Sequence, residues 1–175
     1  MTVVRTVDVA VIGGGVVGCA ILDALTRYDG RMALFERHRE VGDATSKANS
    51  AIVHTGFDAP PGSLEARLLS EAGSLWPGTI DRLGLAYCPT GAVMVALDTT
   101  QLDALRTEVL EKAARNAVPV REVGRAWLKS EVPYVTETAL GGLFVPGEVV
   151  INPFAAVRAT PKRRSRQGLR CFSAS

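Results

Sequence analysis

The sequence predicts an α/β fold organised around residues 8–36, DVAVIGGGVVGCAILDALTRYDGRMALFE. Three observations carry that prediction. A short β-branched run stops at a cluster of glycines, a helical apolar period starts directly behind it, and a second apolar run ends on an acid.

Residues 7–12 are β-branched and nearly free of polar side chains, the pattern of a parallel strand covered on both faces. Gly13, Gly15 and Gly18 then fit G-x-G-x-x-G. In that pattern the first glycine permits the tight turn, the second lets backbone approach a pyrophosphate, and the third lets the helix pack closely. The helix, over 16–28, carries Val17, Ile21, Leu22 and Leu25 at helical spacing. Its N-terminus offers unpaired N–H groups and about half a positive charge to an anion. A strand over 31–35 ends at Glu36, about 20 residues beyond the glycines, where a ribose hydroxyl needs an acceptor. The unit has the roughly 30 residues that a βαβ crossover needs. A lone G-x-G-x-x-G is weak evidence, so the strand, helix and acid in register are what point to a bound dinucleotide. The plainer alternative, glycines that only ease packing beside a solvated Glu36, leaves that register unexplained.

At 175 residues the chain has room for one domain or one and a half. Its 47% hydrophobic and 22% charged residues are ordinary globular composition. No apolar run approaches the ~20 residues of a membrane helix. The N-terminal apolar segment is interrupted by Asp8 and the glycines and is needed as a strand, unlike a signal peptide. A cytoplasmic location is expected, with peripheral contact with the inner face of the membrane left open. Cys19, Cys88 and Cys171 are odd in number and widely spaced, so neither a disulfide framework nor a metal site is expected. Cys19 is expected to pack as a small buried apolar residue. The net charge of +2 hides an asymmetry: Arg158, Lys162, Arg163, Arg164, Arg166 and Arg170 face no acidic residue beyond 157, which leaves −4 for residues 1–157.

After Glu36 the chain turns polar and small over 37–62, RHREVGDATSKANSAIVHTGFDAPPG. Such a loop beside a nucleotide site supplies hydroxyl and amide hydrogen bonds. The alternative is a solvated connection whose Ser and Thr satisfy their own backbone. Its length favours a functional loop, since irregular stretches beyond about 12–15 residues in a domain usually have a role or are disordered.

The run GGGVVGCAI, the following E-R, and TSKANSAIVHTGFDAPPGSLEARL over 45–68 together resemble the FAD-dependent oxidoreductases of the D-amino-acid oxidase superfamily. Within it the likeness is strongest to the large subunit of anaerobic-type glycerol-3-phosphate dehydrogenases, with the 2-hydroxyglutarate oxidases near relatives. The resemblance covers about residues 8–156, and it selects FAD as the cofactor where spacing alone does not. It implies a Rossmann-like FAD-binding domain with part of an inserted α+β substrate-capping domain. Gly13, Gly15 and Gly18 would hold the pyrophosphate, Glu36 the adenosine ribose, and Arg37 would lie beside the adenine. Thr45, Ser46, Asn49 and Ser50 would line the pyrophosphate and the approach to the flavin, with His54 and Gly56 near the isoalloxazine ring.

His54 is the one catalytic candidate, because imidazole titrates near neutral pH and can serve an acid–base role. A hydrogen-bonded core histidine is its alternative. Two positions depart from the family pattern. Ala51 stands where N-S-G is usual, and a positive φ there would cost about 1–2 kcal/mol. Thr55 replaces a small apolar residue and is read as neutral. The implied activity is oxidation of a hydroxyl-bearing carbon, of sn-glycerol 3-phosphate first, with a 2-hydroxyacid or amino acid as the alternative. The implied partners are a small hydroxylated substrate and an electron-acceptor subunit or quinone.

Farther on, apolar spacing predicts a helix over 63–83 that starts at Ser63 and is kinked or divided by Pro77. A strand over 90–97 and helices over 99–117 and 126–132 follow. Short strands over 140–145 and 148–151 flank a turn at Pro146 and Gly147 in an antiparallel sheet. The resemblance begins a helix at Asn152, Pro153 and Phe154 that returns the chain to the FAD domain. The expected divisions are therefore 1–60 for the FAD domain, 61–157 for the cap and 158–175 for a basic tail.

That tail has no apolar period. It reads either as an arm for nucleic acid or acidic lipid, which would make the chain a non-catalytic adenylate-binding module, or as a non-native or disordered end. The second is the expectation, so no nucleic acid is expected as a partner. Because two parallel strands leave apolar faces uncovered, the chain is expected to be an N-terminal fragment, itself inactive.

Overall fold

The computed structural model describes residues 6–159 and 170–173. In chain order the elements are β1 Val9–Ile12, α1 Val16–Leu25, β2 Met32–Glu36, β3 Ile52–Val53, α2 Leu64–Leu83, β4 Tyr87–Cys88, β5 Ala92–Ala96, α3 Thr99–Ala104, a π-helical turn Leu105–Val109, α4 Leu110–Arg115, β6 Arg121–Gly124, α5 Arg125–Glu131, β7 Gly141–Val145, β8 Val149–Ile151, α6 Pro153–Ala159 and β9 Arg170–Ser173. They fall into two units.

The first unit holds the described chain up to Ala51, Ile80–Ala86 and the chain from Ile151 on. Its β1 and β2 are parallel, in register from Val9 opposite Met32 to Ile12 opposite Phe35, and α1 is the crossover that parallel pairing requires. At the open end of the pair, Arg31 donates to the Asp8 carboxylate from its backbone at 2.7 Å and from its guanidinium at 3.0 Å. The guanidinium bonds, followed by the backbone bond, hold the Asp8 carboxyl at about 2. Val11, Cys19, Leu22, Met32, Leu34 and Val157 form the core, so α6 packs here as the family resemblance implied.

Cys19 is fully buried, as expected. Of the four apolar residues noted at helical spacing, Val17 and Ile21 are exposed. The reason is that α1 is apolar around most of its circumference, so period alone did not choose its packed face; Cys19 and Leu22 do the packing. Asp23, also buried on α1, accepts from Arg82 Nη1 at 2.7 Å.

Beyond α6 the expectation of a segment without regular structure needs correction. Arg170–Ser173 pairs parallel with β2, from Ala33 opposite Arg170 to Glu36 opposite Ser173. A four-residue strand is below what periodicity can detect. Lys162, Arg163, Arg164 and Arg166 of the basic run lie outside the described residues. Arg158 is ion-paired with Glu40.

The second unit contains the sheets β3-β8-β4 and β5-β7-β6. Pro146 and Gly147 do not close a hairpin as expected, because β7 pairs with β5 and β6 while β8 pairs with β3 and β4. The turn therefore hands the chain from one sheet to the other. Phe57, Ala113 and Val145 form one cluster, Ala96, Leu105 and Leu143 a second, and Val123, Leu128 and Ala139 a third.

Ser63 starts α2 as expected, its Oγ accepting from Ala66 N at 3.1 Å. Pro77 does not divide the helix, which runs unbroken over 20 residues. The donor that Pro77 lacks would have served the Gly73 carbonyl, so the helix gives up one internal bond there without breaking. The single helix expected over 99–117 is interrupted by the π-helical turn. The expected division at 60 also moves: Phe57 and Ala59 are buried in the second unit and Val157 in the first, which places the first change of unit near 51 and the last near 151. Among the described residues no helix is long and apolar enough to cross a membrane.

Candidate cofactor site

The glycine turn is built as its spacing requires, with one addition. Gly13 takes φ +102° and donates to Phe35 O at 2.8 Å, which ties the turn to the end of β2. Gly15 is the extended residue before α1; no side chain of its own caps the helix, and no acid occupies the first turn. At Gly18 a Cβ would sit 1.9 Å from Gly13 O, so α1 lies against the backbone of the turn itself.

The addition is Gly14, which the motif treats as variable. Its N–H donates to Glu36 Oε2 at 2.6 Å and its carbonyl accepts from Gly42 N at 2.7 Å. A side chain at 14 would meet Glu36 Oε2 at 3.0 Å. The only sequence signal was the unbroken GGG. Glu36 therefore has a second duty beside the ribose role the spacing suggested. Its other oxygen accepts from His38 N at 2.8 Å. The His38 N–H, followed by the Gly14 N–H, holds the Glu36 carboxyl below the usual carboxylate range.

The loop after β2 returns to the helix start. Ser46 Oγ accepts from Val16 N at 2.9 Å and so occupies one of the orphan donors of α1. Asn49 pins the loop internally: its Nδ2 donates to Ser46 O at 2.9 Å, and its Oδ1 accepts from Ala51 N at 2.7 Å. Thr45 and Ser50 are exposed. Arg37 is also exposed and donates to the ring of its neighbour His38 at 3.2 Å.

Ala51 has φ +61°, the conformation at which the Cβ was expected to cost energy. Ala51→Gly is accordingly expected to stabilise the first unit by about 1 kcal/mol. A higher urea midpoint with an unchanged m-value is the result that checks it.

The remaining two candidates lie in the second unit. Gly56 is buried at φ +81°, a Cβ there would stand 2.9 Å from Leu69 Cβ, and its carbonyl accepts from Asn116 Nδ2 at 2.8 Å. Its local role is close packing against α2. The His54 side chain is 54% exposed, with Nδ1 3.4 Å from Oε1 of Glu148, whose side chain is 2% exposed. Glu148 escaped sequence reasoning because an acid beginning a short strand carries no motif. Among the described residues no group of His, Cys, Asp and Glu could hold a metal ion.

The sequence profile of the family described as DAO, FAD dependent oxidoreductase, matches residues 8–175. The chain belongs to that family. Among its relatives, a glycerol 3-phosphate dehydrogenase of Caloramator mitchellensis is 30% identical over 166 residues, which is 94% of this chain and 34% of that one. An L-2-hydroxyglutarate dehydrogenase of Escherichia coli is 29% identical over 150 residues, 83% of this chain and 34% of that one. The structure of the L-alpha-glycerophosphate oxidase of Mycoplasma pneumoniae with FAD bound superposes with a TM-score of 0.88 at 26% identity, over 97% of this chain and 45% of that one. The chain thus spans about a third of the length of the curated relatives. The family's cofactor suits the first unit: a helix start without an acid, preceded by a turn of bare backbone, is a site for an anionic pyrophosphate.

Proposed function

We propose that this chain holds FAD for the oxidation of a hydroxyl-bearing carbon, with glycerol 3-phosphate as the first substrate to test. The observation that carries the reading is the glycine turn, braced on one side by Glu36 and on the other by Gly42 so that its backbone stays fixed at the start of α1. Fixed dipoles cost no reorganisation when an anion arrives.

Gly13, Gly15 and Ser46 would hold the pyrophosphate. Glu36 has used one acceptor site on each oxygen, so it retains capacity for the ribose hydroxyls. Arg37 would lie over the adenine, and Thr45, Asn49 and Ser50 would line the way to the flavin. Bound FAD supplies the hydride acceptor. His54 would take the hydroxyl proton, and Gly56 keeps the backbone behind it close to α2. A quinone or acceptor subunit would receive the electrons. Oxidation of a 2-hydroxyacid is the second reading, favoured by the 29% identity to the L-2-hydroxyglutarate dehydrogenase.

The test is titration of the chain with FAD and with ADP by calorimetry. Both are expected to bind, and Gly15→Val is expected to weaken both by at least about tenfold, which is 1.4 kcal/mol. Absence of binding by the unmodified chain would remove the reading. The 175-residue chain itself is expected to show little or no bleaching of bound flavin, so substrate choice is read from anaerobic bleaching by glycerol 3-phosphate against 2-hydroxyglutarate in a chain of its relatives' length.

A further inference from the structure

We propose that Glu148 is a positioning residue which, held in place by Thr55, fixes His54 with its Nδ1–H turned toward the protein and its Nε2 free to accept a proton. The proposal deepens the function given above, and rests on it only for the use to which Nε2 is put.

Backbone register brings the three residues together. β3 and β8 are antiparallel with Val53 opposite Val149, so His54 and Glu148 are the next opposed pair just beyond the ladder. The main chain at Glu148 is anchored by Gly91 N, which donates to Glu148 O at 3.0 Å. A Cβ at Gly147 would stand 3.1 Å from Thr55 Cγ2, so the turn sits close on Thr55.

Chemistry then orders the group. A carboxylate this deeply buried needs donors, since an uncompensated charge in such a place is costly. Glu148 Oε1 receives Thr55 N at 3.2 Å and Thr55 Oγ1 at 3.3 Å, and faces His54 Nδ1 at 3.4 Å. An ionised carboxylate only accepts, so the imidazole nitrogen facing it carries the hydrogen. In neutral His54 the lone pair is then left on Nε2 of a side chain that is 54% exposed. Thr55, read from the sequence as a neutral departure, has a use in this arrangement. Its backbone and its hydroxyl both donate to the oxygen that faces His54. A hydroxyl at 55 and an acid at 148 are thus matched features, ninety-three residues apart in sequence.

The experiment is long-range proton–nitrogen correlation NMR on the 175-residue chain with nitrogen-15 histidine, at a pH where imidazole is neutral. The chain has two histidines, and His54→Gln assigns the signals. Imidazole in water prefers its hydrogen on Nε2, so a predominant Nδ1–H form at His54 is a signature that mere packing would not produce. Glu148→Leu is expected to return His54 to the Nε2–H form. Thr55→Val, which keeps the shape and the backbone bond, is expected to raise the Nε2–H fraction at least about twofold.

A wild-type His54 that carries its hydrogen on Nε2 would overturn the proposal, as would a folded Glu148→Leu with the wild-type tautomer. If Glu148→Leu does not fold, the wild-type spectrum and Thr55→Val decide the matter. FAD titration of the same samples keeps the two readings apart: an Nδ1–H His54 in a chain that binds no FAD would sink the proposed function and leave the positioning role standing.

Discussion

Gly18→Ala is expected to cost the first unit about 3 kcal/mol and to abolish measurable FAD and ADP binding. The added methyl would lie 1.9 Å from Gly13 O and 3.1 Å from Gly13 C. The neighbour is backbone, so no side chain can rotate away. Either α1 lifts off the turn or the turn opens. Overpacking of a tight site costs about 1–3 kcal/mol, and here relief also moves the element whose N-terminus would face the pyrophosphate. The core shared by Cys19, Leu22, Leu34 and Val157 would loosen with it. A urea midpoint within error of wild type, or retained ADP affinity, would show that α1 does not depend on this contact.

Glu36→Gln is the second large effect expected, at about 1–3 kcal/mol, the loss of a hydrogen bond to a charged acceptor in a part-buried place. Glutamine keeps one oxygen, whereas Glu36 serves Gly14 N with one oxygen and His38 N with the other. One of those N–H groups would then face an amide that donates. The pH dependence has a definite sign. The folded carboxyl is held below its ordinary value by the His38 and Gly14 N–H groups, so its contribution is present above the unfolded value and is lost as pH falls through the folded one. Urea midpoints followed from neutral pH down through about pH 3–5 should therefore decline in the wild type, with a shallower decline in Glu36→Gln. Parallel curves would show that the Glu36 carboxylate does not brace the turn.

These effects divide what a linear pattern can state from what it cannot. The βαβ unit, the roles of Gly13 and Gly18, the cap at Ser63 and the strain at Ala51 were legible, because each follows from a few neighbouring residues and from the steric limits of a single backbone position. The bracing of Gly14 was not legible, since Glu36 is 22 residues away and its bond to the turn exists only once β1 and β2 are in register. The face of α1 that packs, Cys19 and Leu22 in place of Val17 and Ile21, was chosen by Leu34 and Val157 on other elements. The pairing of β7 and β8 into different sheets was decided by competing partners, β5 and β6 for one and β3 and β4 for the other, which no local turn signal records.

The sequence by itself determined the family, the α/β class and the dinucleotide cradle, because glycine geometry and apolar period are properties of short segments. The tertiary structure alone decided that Glu148 stands behind His54. That carboxylate and that imidazole have no relation along the chain, and only antiparallel register places their polar atoms within 3.4 Å of each other.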